Sequence, residues 1–210
     1  MQNDLDSKQS AMAIDPLSDL AHRLMKINAE HAYESLVPKT PDGSEAKSLL
    51  DATEAASLLA KPPANPDDAD LLLSALYLWH DYLNASHKIS QAISSSTGSF
   101  WHAIMHRREG DFSNSKYWYA RCADHPVMAI ISAQANPVLN PLPVDKSILK
   151  LTMNGWNPAA FVDLTKSVTD SPNDPRQKIA IALQKLEWRL LFDFTARKAI
   201  EGGDKEVFNP

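Results

Sequence analysis

Two groups of side chains in this sequence carry nitrogen and oxygen donors at helical spacing. His102, His106 and Glu109 fall at i, i+4 and i+7 within FWHAIMHRREGDF, and His80, Asn84, His87 and Gln91 fall at i, i+4, i+7 and i+11 within LWHDYLNASHKISQ. At about 100° per residue, each group shares one face of a helix. Imidazole nitrogens joined by a carboxylate form a ligand set that Zn or Fe accepts. A Ser-rich turn separates the two stretches. Folded there into an antiparallel hairpin, His80 or His87 faces His102 and His106, and Glu109 is a further candidate ligand of a three- or four-ligand site. A metal ion so held lowers the pKa of a coordinated water or grips a substrate oxygen. The second stretch departs from the metalloprotease helix, which has a glutamate directly after its first histidine, because Ala103 stands there. Each group also has a plainer reading, as a core histidine with its own hydrogen bonds or as the solvated end of a long helix.

Around the second group stand cations and flat rings. Arg107, Arg108 and Arg121 offer guanidinium forks suited to carboxylate or phosphate, and Trp101, Tyr117, Trp118 and Tyr119 offer stacking faces, with Asn114 as an amide donor. That mixture suits a small polar or anionic molecule. The plainer alternative is an ordinary core in which the arginines pair with Glu109, Asp111 and Asp124. Asp111 and Ser113 read as helix caps. Cys122 and His125 form a conceivable nucleophile and base, but nothing in the sequence supplies an oxyanion hole. A Gly-rich phosphate loop, a G-x-S-x-G elbow and a paired Cys-x-x-Cys are all missing from the sequence, which removes support for nucleotide-binding, α/β-hydrolase and zinc-ribbon readings.

The block GSFWHAIMHRREGDFSNSKYWYARCADHP, with LWHDYLNASHKISQ before it, resembles a recurrent block of a family of uncharacterised microbial proteins. The resemblance spans about residues 71 to 126, and its most specific part is His-x-x-x-His-Arg-Arg-Glu followed by Asn-x-x-Tyr-Trp. It implies that His102, His106, Arg107, Arg108, Glu109, Asn114, Tyr117 and Trp118 belong to a family feature, and it carries no catalytic role to any of them.

The elements that must position these residues are helices. Asp15-Pro16, Asn65-Pro66, Asn157-Pro158 and Asp174-Pro175 each place a side-chain acceptor before a proline, which suits an N-cap followed by a first helical residue. The spacing predicts helices over 16–36, 44–60, 66–93, 100–109, 113–122, 127–136, 157–168 and 175–198. Prolines 137, 141 and 143 predict an extended loop over 136–145, and 147–153 reads as either a helical turn or a short strand. The expected architecture is an all-α, single-domain bundle of about six to eight helices with Pro-rich connecting loops, covering 15–210 behind a flexible N-terminus over 1–14.

With 210 residues, 44% of them hydrophobic, the chain can bury one sizeable core. Its 26 acidic against 21 basic residues disfavour a nucleic-acid surface. No apolar run is long enough to span a bilayer, and the polar start lacks a signal-peptide pattern, so the expectation is a soluble, cytoplasmic protein with no membrane partner. The lone Cys122 is compatible with that compartment. Three functional classes follow: a pocket of His80, His87, His102, His106, Arg107, Arg108, Glu109, Asn114, Tyr117, Trp118 and Arg121 for a small polar or anionic molecule; a metal-dependent enzyme with Zn or Fe on facing helices; and a structural or protein-interaction module.

Overall fold

Three of the four acceptor–proline pairs start helices. Asn65 accepts from the Asp67 amide at 3.1 Å, Asn157 from Ala160 at 3.0 Å and Asp174 from Arg176 at 2.9 Å, each with proline in the first turn. At the fourth pair Asp15 instead accepts from Leu17 at 3.0 Å and contacts the His22 ring at 2.9 Å. The chain there is bridged to Leu59, and the helix begins only at Asp19 behind a Ser18 cap.

The computed structural model describes residues 15–41, 44–122, 124–139 and 146–202. They form α1 (Asp19–Lys26), α2 (Ser44–Asp51), a 3₁₀ turn (Ala55–Leu58), α3 (Pro66–Trp79), α4 (Leu83–Ser90) and α5 (Ser96–Glu109). Then follow α6 (Phe112–Ala120), α7 (Val127–Leu139), α8 (Lys146–Thr152), α9 (Pro158–Val168) and α10 (Pro175–Glu201). The described residues contain no β-strand, only two isolated bridges. The flexible N-terminus expected over 1–14 lies outside the described residues.

The architecture is the expected all-α bundle, but with ten α-helices among the described residues rather than six to eight. Of the two helices beyond eight, one is α8 and the other has a backbone cause. Asn28, Tyr33 and Asp81 sit at φ 50°, 60° and 63°, a region that no α-helix passes through, so the spans expected over 16–36 and 66–93 are both cut. The second becomes α3 and α4. The span over 44–60 divides into α2 and the 3₁₀ turn. In the other direction, α7 continues past Pro137, where a loop is expected from 136. The hydrogen bond that proline removes belongs to the carbonyl of Ala133, an exposed residue that water can serve. Residues 140–145 of that loop lie outside the described residues. The ambiguous 147–153 segment is helical, as α8.

α5 is the axis of the bundle. Every residue from Thr97 to Arg108 is buried, and α3, α4 and α6 pack around it. α10 packs on α3, α7 and α9. Trp101 of α5 donates to the Thr195 hydroxyl at 3.1 Å and Trp188 of α10 donates to the Ala75 carbonyl of α3 at 3.0 Å, so the indoles bury their rings without orphaning their N–H groups. No described helix is long and apolar enough to cross a membrane.

Candidate metal centre

The α4–α5 hairpin is set by short contacts at both ends. Ser74 of α3 meets the Ser86 hydroxyl at 2.8 Å and the Ser86 carbonyl at 3.0 Å, which holds α4 against α3. Ser95 caps α5 by accepting from the Gly98 amide at 3.0 Å. Gly98 admits the turn itself, since a Cβ there would lie 2.1 Å from the carbonyl oxygen of Ile93.

Across this hairpin three imidazoles converge. The ring centroid of His87 lies 4.8 Å from that of His102 and 5.3 Å from that of His106, and the latter two stack at 4.6 Å. One ring nitrogen from each comes within 4.8 Å of the other two. Trp118 of α6 stacks on His102 at 4.2 Å and closes the cluster on that side. α6 is itself anchored to α5 by the Ser115 hydroxyl, which donates to the Ala103 carbonyl at 2.8 Å.

The three histidines differ in their bonding. Nδ1 of His106 lies 2.5 Å from Oε1 of Glu109, and Nε2 lies 3.1 Å from the Asn114 amide nitrogen. A carboxylate accepts and a side-chain amide nitrogen donates, which assigns the proton to Nδ1 and the lone pair to Nε2, where a metal ion would have to displace the Asn114 N–H. His102 has no such partners: it is 3% exposed, and neither of its ring nitrogens has a hydrogen bond. A buried polar group left without a partner costs about 1–3 kcal/mol. Burial, then the neighbouring His106 and His87, push the His102 pKa down to about 4. Burial and His106 also lower that of His87, against a smaller opposing pull from Glu109. Both are neutral near pH 7, the form in which imidazole binds a metal. Zinc bonds to imidazole of about 2.0–2.1 Å require the three nitrogens to draw inward from this arrangement, in which His87 is the half-buried member.

A second group of donors, His106, Glu109 and Asp111, also falls within 4.8 Å. Its carboxylates are engaged already, Glu109 by His106 and Asp111 by the Asn114 amide at 3.0 Å, where it caps α6.

The remaining candidates lie elsewhere. His80 ends α3 and is buried against α1, with Nε2 3.0 Å from the Leu24 carbonyl oxygen. Asp81 breaks the helix directly after it, so the continuous stripe from His80 to Gln91 does not form. Arg107 and Arg108 are both 0% exposed and point away from the imidazoles. Arg107 donates to Glu187 at 2.5 Å and to the Tyr119 hydroxyl at 2.5 Å, and Tyr119 donates to the other Glu187 oxygen at 2.9 Å. The Arg107 guanidinium lies over Phe161 at 4.4 Å. Arg108 donates to Asp81, to Gln184 at 3.1 Å and to the Ser35 carbonyl at 3.1 Å, over the Tyr33 ring at 3.7 Å. These two forks organise the core. Arg121 lies outside the cluster, over Trp118 at 5.3 Å and bonded to the Tyr117 hydroxyl at 3.4 Å, with Tyr117 56% exposed. Cys122 is buried, and burial, reinforced by the Glu187 carboxylate, pushes its thiol up to about 12. That is the opposite of an activated nucleophile.

Beside the cluster is a cavity of about 580 Å³ that shares Glu109 with it and whose lining includes Pro38–Pro41, Lys47 and Asp51 of α2, and Lys88 of α4. Sequence reasoning gave no sign of it, because its walls come from segments far apart in the chain. Of its lining, only Asn84 and Glu109 belong to the two donor groups singled out in the sequence.

The geometry defines a class: an all-α protein with a buried three-histidine cluster on a helical hairpin. Compared with known proteins, the chain matches no protein-family model, no curated protein and no solved structure.

Proposed function

We propose that this protein binds one transition-metal ion, zinc or iron, through His87, His102 and His106, and that its function is exercised at that ion. The observation that carries the reading is the convergence of three imidazoles on a ring, His102, whose two nitrogens are buried and unbonded. A histidine core built only for structure pairs its ring nitrogens. His102 pairs neither, and a bound cation would take one of the two and offset that part of the cost.

The surroundings support the same reading. Glu109 fixes His106 with its proton on Nδ1, the carboxylate–histidine arrangement that orients a metal ligand and raises its basicity. Three neutral ligands leave the ion its full positive charge and an open coordination position. Such an ion polarises a bound oxygen or lowers the pKa of a bound water, which is the chemistry of hydrolysis or of substrate capture. The family feature implied by the His-x-x-x-His-Arg-Arg-Glu block then divides into two tasks, with the histidines and Glu109 serving the ion and the arginines serving the core.

Elemental analysis of protein purified without chelator or metal-affinity resin tests the proposal. The expected result is close to one zinc or iron per chain, with the total tryptophan fluorescence, to which Trp118 on His102 contributes, responding saturably when the chelated protein is titrated with zinc. A chain that carries no metal near stoichiometry and gives no saturable response to zinc or ferrous iron would overturn it.

A further inference from the structure

The cavity beside Glu109 has a charge pattern of its own. Three carboxylates reach its wall and all are engaged: Asp51 with Lys47 and with the Tyr77 hydroxyl at 2.9 Å, Asp81 with Arg108, and Glu109 with His106. Of its three lysines, Lys47 is paired with Asp51, whereas Lys39 and Lys88 have no ion-pair partner among the described residues. Among the described residues the wall therefore presents two uncommitted ammonium groups and no uncommitted carboxylate. At about 580 Å³ the cavity lies within the size range of small-molecule sites.

We infer that this cavity binds a small molecule through an oxyanion, a carboxylate or a phosphate, placed beside the metal centre. The inference rests on the metal reading above for its second half. Glu109 belongs to both sites, with one oxygen on His106 and its side chain on the cavity wall. A cation at the imidazoles adds positive potential at that wall and offsets the charge of Glu109, so metal and oxyanion strengthen each other's binding, and linkage makes the effect reciprocal. Lys39 and Lys88 draw the anion in, and Glu109 carries the coupling.

Zinc-loaded protein, dialysed free of excess metal, is heated in inorganic phosphate or succinate, with chloride at equal ionic strength and glycerol as controls. A native-state ligand must raise the unfolding midpoint in a saturable way. Phosphate or succinate is expected to do so and the controls are not, with the difference between the two arms separating a phosphate ligand from a carboxylate one. The exposed double substitution Lys39→Glu/Lys88→Glu, its fold checked by circular dichroism, is expected to weaken the oxyanion about tenfold or more, equivalent to at least about 1.4 kcal/mol. No saturable shift from either oxyanion, or a shift that the double variant keeps in full, would overturn the inference. Failure of the metal reading looks different, because elemental analysis then finds no zinc before any anion is added. An oxyanion shift that the double variant still loses in such protein supports the cavity assignment and removes only its coupling to a metal.

Discussion

Asp81, held at φ 63° between α3 and α4, gives its carboxylate to the buried guanidinium of Arg108 on α5. That pair turns the chain at the one place that decides which histidine enters the cluster. His80, one residue before it, goes to the α1 side, and His87, one helix later, faces His102.

Breaking a buried ion pair by removing one partner leaves the other charge uncompensated, at a cost of about 3–5 kcal/mol. Asp81→Ala is expected to lower unfolding stability by about 3 kcal/mol or more, adding the cost of a left-handed backbone at alanine. Asp81→Asn keeps a residue type that tolerates that conformation and is expected to lose less. Urea unfolding followed by circular dichroism measures both, and equal losses would show that the lost charge carries the whole effect and the left-handed backbone adds nothing to it.

His102 and His80, both buried, should respond in opposite ways to the same replacement. His102→Leu removes two unbonded ring nitrogens, so the metal-free protein is expected to keep its stability or gain about 1–3 kcal/mol while losing metal binding. His80→Leu removes the bond to Leu24 and is expected to cost about 1 kcal/mol while leaving metal binding intact. Denaturant unfolding paired with zinc titration separates the two.

In the proposed site Glu109 would act on the ion through His106, which it hydrogen-bonds. Glu109→Gln is expected to weaken zinc binding about 10–100-fold, as removal of an outer-shell carboxylate does, with little change in the stability of the metal-free chain. Competition against a chelator of known affinity gives the ratio.

Burial holds the His102 pKa down near 4, below its ordinary value of 6.5. The folded state therefore binds fewer protons than the unfolded state between those values, and stability rises with pH across that window. The contribution of His102 is fully present above about pH 6.5 and is lost as pH falls toward 4. Chelator-treated protein is expected to weaken across this range in urea unfolding, and His102→Leu is expected to flatten the dependence. A profile unchanged by the substitution would place the acid sensitivity elsewhere.

The sequence made the helical class and three helix starts legible because an acceptor before a proline is a local device, complete within a few residues. It also paired His102 with His106, since i and i+4 within one uninterrupted helix fix the geometry. The positions of Arg107 and Arg108 were readable by the same arithmetic: at about 140° and 240° from His102, against about 40° for His106, they leave the histidine face. Their partners were not readable, because Glu187 and Gln184 arrive from α10, far along the chain. Nor was the fate of His80. An aspartate in a left-handed conformation has no mark in the residues around it, and what stabilises it, Arg108, is 27 positions away.

The burial of α5 from Thr97 to Arg108 bears on how fast an ion can come and go. With guanidiniums anchored on two further sides, the axis helix cannot yield without unfolding the core, so His102 and His106 form a stationary jaw. Facing it, α4 is eight residues long, carries the half-buried His87 and is held to α3 by the Ser74–Ser86 contacts. For the ion proposed above, release then requires α4 to part from α5, and amide hydrogen exchange along 83–90 measures how often that opening occurs.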